Sequence, residues 1–197
     1  MQDRLIQDRA QIRVDFYRHW QLADLGHRES HFEEVEQCAN HINNVLGLGL
    51  DPYLLMLGAW FHDLFCWSRN NHHLMIREWL TSTDYPLIRN LKPNQLLTLA
   101  QGCLEHRASY KGIYSSEFSE VLSAADRGFP TTDMELKLQR PIEYRLHEGF
   151  CPKAAREGAI LHLKKKYGHG GYARYNKVWL QVFEKELPLM QDAIAKL

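Results

Sequence analysis

An almost wholly apolar run, Tyr53-Leu54-Leu55-Met56-Leu57-Gly58-Ala59-Trp60-Phe61, ends on the polar pair His62-Asp63. A helix built on this run has no polar face, so it has to sit at the centre of a fold, covered on all sides. Asp51 before it is a good helix cap, and Pro52 takes the first helical position, where its missing N–H is harmless. The central helix therefore carries an imidazole and a carboxylate into the interior. Burying them costs several kcal/mol per unpaired ion unless something such as a metal compensates.

Helix start and stop signals recur along the rest of the chain, with no sustained strand-like alternation, repeat or low-complexity linker. An all-α helical bundle follows, read as a single domain over residues 1–197, long enough to bury a core without disulfide staples. A first helix carries Leu5, Ile6, Ile12, Phe16 and Trp20 and fades near Gly26. A second begins with Ser30 as N-cap and stops at Gly47 and Gly49, where left-handed backbone is favourable. Asn70 and Asn71 cap a helix through Leu80, Pro93 opens one to about Arg107, and Ser115 and Ser116 start one that ends near Gly128. Pro141 and Pro152 punctuate later helices. Gly168 to Gly171 precedes a last amphipathic helix with Val178, Trp179, Val182, Phe183, Leu187 and Met190.

Lysine plus arginine balance aspartate plus glutamate at 24 each, so no overall field draws the chain to nucleic acid or an anionic membrane. No apolar stretch reaches the roughly 20 residues of a membrane span, and the N-terminus lacks a signal-peptide pattern, so a cytoplasmic protein is expected. The four cysteines, Cys38, Cys66, Cys103 and Cys151, form no C-x-x-C pair, which argues for free thiols over a zinc knuckle. Eleven histidines lean toward metal or proton chemistry. The run Lys164-Lys165-Lys166 reads as a solvated helix face, and Gly168-His169-Gly170-Gly171 as a helix break, since no strand precedes it.

At about 100° per residue, His31, Val35, Cys38, Ile42 and Leu46 share one face of the second helix, so His31 points at the core and His41 does not. Phe118, Val121, Leu122 and Ala125 make the buried stripe of a later helix, with Asp126 at its edge. His31, His62, Asp63 and Asp126 form a mixed nitrogen and oxygen set, suited to manganese, iron, magnesium, nickel or zinc in an open, octahedral site. An ion there would lower the pKa of its water toward about 7 and orient a phosphoryl oxygen.

The pattern H…HD…D resembles the HD superfamily of metal-dependent phosphohydrolases. It is carried by His31-Phe32-Glu33-Glu34-Val35, Ala59-Trp60-Phe61-His62-Asp63 and Ala124-Ala125-Asp126-Arg127, over roughly Ser30 to Arg127. Trp60 to Asp63 followed by Asn70-Asn71-His72 looks most like a poorly characterised bacterial branch of that superfamily. The resemblance implies an all-helical HD-type domain with core motif region 30–127 and helices 131–197 completing the fold and pocket. It implies His31, His62, Asp63 and Asp126 as metal ligands, with Asp63 also positioning or deprotonating the attacking water. His106 is then a candidate to face a phosphate or a second metal. Arg127 has the planar fork to grip a phosphoryl group, or equally to pair with a surface carboxylate.

Glu34 stands where many relatives have arginine. Leu64-Phe65-Cys66-Trp67 replaces the Glu-Asp pair of the alarmone hydrolases, which argues against that activity. The expected substrate is a small phosphorylated molecule, a nucleotide among the candidates. The number of chains is left open, a homodimer included. Two other readings stand beside this one: a non-catalytic metal- or nucleotide-sensing module, and a di-iron oxygenase for which His72, His73 and His106 would supply the second site.

Overall fold

The structure, a computed structural model, describes residues 2–22, 29–68 and 70–197, and the described residues are helical with no strand. The helices are α1 (Gln2–Leu22), α2 (Glu29–Leu46), α3 (Pro52–Phe61), α4 (His72–Ser82), α5 (Pro86–Arg89), α6 (Pro93–Glu105), α7 (Glu117–Ala125), α8 (Met134–His147), α9 (Pro152–Tyr167), α10 (Lys177–Phe183) and α11 (Glu186–Ala195). This is the all-α class expected from the sequence. None of these helices is long and apolar enough to cross a membrane. The chain divides into two compact units, Met1–Gly128 and Phe129–Leu197.

In the first unit α3 is the buried centre, with every residue from Leu54 to Phe61 out of solvent. The Asp51 carboxylate accepts from the Tyr53 N–H at 2.9 Å, and Pro52 opens the helix as its position predicts. Helices α1, α2, α6 and α7 all pack on α3. Glu36 of α2 is buried and ties three helices together: it accepts from the Trp60 indole N–H at 2.8 Å and pairs with Arg9 of α1 at 2.9 Å. Two glycines let α7 approach closely. A methyl added at Gly58 of α3 or Gly102 of α6 would meet the ring of Phe118, at 2.8 Å and 2.6 Å respectively.

Several local expectations are corrected. Ser30 lies inside α2, which already includes Glu29, so it is not the N-cap; the expected fading of α1 near Gly26 falls outside the described residues. Ile12, Phe16 and Trp20 are buried, but Ile6 lies on the solvent face. His62 and Asp63 sit just past the last turn of α3, with His62 at its C-cap.

In the second unit, Leu138, Ala159, Leu163, Met190 and Ile194 make the core where α8 and α11 pack on α9. Pro152 starts α9 as expected, but Pro141 lies within α8 and does not end it. One lost backbone bond there is outweighed by packing against α9. The expected last helix is two, because the chain breaks at Glu184 and Lys185 between α10 and α11.

Candidate metal centre

The four predicted ligands converge. His31 Nε2 lies 3.3 Å from His62 Nε2, 3.8 Å from Asp63 Oδ2 and 3.4 Å from Asp126 Oδ1. His62 Nε2 lies 3.5 Å from Asp63 Oδ2 and 3.6 Å from Asp126 Oδ1. Four donors about 2.1 Å from one ion stand about 3.4 Å apart if tetrahedral, and adjacent octahedral donors about 3.0 Å apart. The observed spacings are of the size that a shared ion requires.

A second group adjoins the first. Asp63 Oδ1 is 3.2 Å from His72 Nε2 and 3.2 Å from His106 Nε2. Asp63 thus turns one oxygen to each group, and the donor atoms within each group lie within 4.8 Å of one another. The His62 side chain is fully buried, while His31, His72 and Asp126 keep 12, 11 and 16 % exposure. Access to both groups is therefore from their side.

The chemistry of the donors favours a cation. His62 Nδ1 donates to the Ala59 carbonyl at 2.8 Å, and His106 Nδ1 to the Cys103 carbonyl at 2.7 Å. These bonds fix the tautomer, so each ring in its neutral form turns an Nε2 lone pair inward. A lone pair facing another imidazole nitrogen or a carboxylate oxygen is repulsive unless a proton or a metal ion lies between them.

Electrostatics within the cluster agree. Burial works to lower the His62 imidazole, but the Asp63 carboxylate and then Asp126 outweigh it and raise its pKa. Burial likewise works to raise the Asp126 carboxyl, yet Arg127, with His31 and His62, holds it well below the ordinary carboxylate range. Burial, then Arg107 and His106, lower His73. Burial pushes the nearby Cys38 thiol up to about 12 and raises Cys103 as well, so both are neutral neighbours of the cluster.

Arg127 is buried. Its Nη2 donates to the His106 carbonyl at 2.6 Å and its Nη1 lies 3.3 Å from Asp126 Oδ2. Ser123 donates to the same carbonyl at 3.0 Å. The end of α7 is thereby fastened to the end of α6 through Arg127, which touches both Asp126 and the His106 carbonyl. The buried Glu105 carboxylate accepts from the Ser115 backbone N–H at 3.0 Å and holds the two ends of the segment 106–115 together.

Position in the sequence does not by itself separate His72 from His73, because the two are adjacent at a helix start. A usable signal exists: His72, Ile76 and Leu80 recur at four-residue spacing and are the buried stripe of α4. His106 likewise continues the stripe Leu99, Cys103. All six ligand candidates belong to the first unit. No protein-family model, curated protein or solved structure matches this chain.

Proposed function

We propose that this chain is a metal-dependent phosphohydrolase that cleaves a phosphoester of a small molecule, a nucleotide among the candidates. The supporting observation is Asp63, whose two oxygens face two adjoining histidine-bearing groups. The sequence resemblance to HD phosphohydrolases supplies the reaction class. His31, His62, Asp63 and Asp126 would hold one divalent ion, and Asp63, His72 and His106 a second. An ion so held would acidify water toward a pKa of about 7 and offset charge on phosphoryl oxygens.

In this reading Asp63, the one carboxylate common to both groups, orients the attacking water, and the proton that water loses passes to the leaving alcohol. His62 and His106 are kept in the metal-binding tautomer by the Ala59 and Cys103 carbonyls. Arg127 acts as a positioning residue, fixing Asp126 and the backbone of His106. Water's oxygen adds to phosphorus, the ester P–O bond breaks, and the leaving alcohol takes a proton.

The test is a phosphate-release screen over nucleotides and sugar phosphates with manganese-, iron- and zinc-loaded protein, and Asp63→Ala alongside. Release by the wild type that disappears in the variant is expected. Release that survives Asp63→Ala sinks the reading. The second ligand group also supports a di-iron oxygenase; oxygen uptake by the iron-loaded protein with no phosphate release would favour that alternative.

A further inference from the structure

The two ligand groups have a cationic neighbour that the hydrolytic reading leaves unused. Arg107 follows His106 past the end of α6 and is half-buried. Its Nη1 lies 3.5 Å from His73 Nδ1 and 3.5 Å from the Asn70 carbonyl oxygen. The ring of His73 is 5.5 Å from that of His72, which is 5.3 Å from that of His106. The guanidinium therefore stands one side chain outside the second group.

Both of its contacts are at the outer limit of a hydrogen bond and use the same nitrogen. No carboxylate among the described residues pairs with it. Nε and Nη2 thus keep N–H donors that no described residue accepts, in the planar fork that suits two oxygens of one phosphoryl group. Arg127 is the opposite case, with its fork turned onto Asp126 and the His106 carbonyl. Charge points the same way. One divalent ion and Arg127 together exceed the charge of Asp63 and Asp126, so the loaded centre attracts anions. The α6 dipole would stabilise a cation at position 107 with or without a ligand, so the test has to read anion binding and not stability.

We infer that Arg107 is the anion-gripping residue of this centre, holding phosphoryl oxygens of the substrate at its rim. The inference rests on the phosphohydrolase reading and names the part of the substrate that the rim recognises. Inorganic phosphate is the probe, titrated calorimetrically into manganese-loaded wild type, Arg107→Met and Arg107→Lys, with metal content measured in each. Arg107→Met is expected to retain its metal and bind phosphate about ten- to a hundredfold more weakly, the size of a lost charge-assisted hydrogen bond. Arg107→Lys, which keeps the charge and loses the fork, is expected to recover only part of the affinity.

Phosphate binding by Arg107→Met equal to that of the wild type overturns the inference and leaves the metal reading standing. So does a metal-loaded wild type that binds no phosphate. A wild type that takes up no metal overturns both.

Discussion

Alanine at position 102 would place a methyl group where the ring of Phe118 already stands. The added Cβ would lie 2.6 Å from Phe118 Cε1 and 2.9 Å from Cδ1, well inside van der Waals contact. The ring has little room to tip toward α3, because its Cζ stands 2.8 Å from the Cβ position of Gly58. In an exposed helix, glycine to alanine would stabilise by about 0.8–1.0 kcal/mol. Overpacking a filled core costs about 1–3 kcal/mol, so Gly102→Ala is expected to destabilise by about 1 kcal/mol net. Urea unfolding followed by circular dichroism reads this as a lower midpoint at unchanged slope. In a Phe118→Leu background the same substitution should cost less, because the opposing ring is gone. Metal affinity should fall as well, since Asp126 caps the C-terminus of α7 and displacing the helix opens the 3.4 and 3.6 Å spacings to His31 and His62. Gly102→Ala as stable as the wild type, or more so, would refute the close-packing account.

Two further predictions concern the ligand groups. His62 has a raised pKa in the fold, so in metal-free protein its stabilising contribution is complete below the unfolded value of about 6.5 and is lost as pH rises through the folded one. Metal binding displaces that proton, so affinity should move oppositely, strengthening as pH rises through the same window; chemical unfolding and metal titration across that range check both signs. His72→Ala should lower bound metal by one ion per chain, whereas His73→Ala should leave the count unchanged, as read by elemental analysis after loading and dialysis.

Where an element is set by local chemistry, the sequence was a good guide. Asp51-Pro52 and Ser116 start helices as their side chains dictate, and the all-apolar α3 is central because it has no face to give to water. Periodicity placed His31 on the inner face of α2 and Asp126 at the edge of the α7 stripe. The departures come from packing between elements. Pro141 stays helical because α9 covers α8, and Phe118 fills notches at two glycines that are 44 positions apart in sequence. Arg127 reads in sequence either as a phosphate grip or as the partner of a carboxylate, and it does pair with Asp126. In the fold it is turned onto the His106 carbonyl, a contact across 21 positions that no local pattern encodes. His72 is legible through its four-residue spacing to Ile76 and Leu80, as His31 is through its spacing to Val35.

The central claim is that Asp63 joins two ion-holding groups. It is tested most directly by elemental analysis of purified protein loaded with manganese and freed of excess ion by dialysis. The geometry predicts close to two ions per chain in the wild type and loss of both in Asp63→Ala. Wild-type protein that retains one ion per chain or none, or an Asp63→Ala variant that retains the full wild-type content, would contradict it.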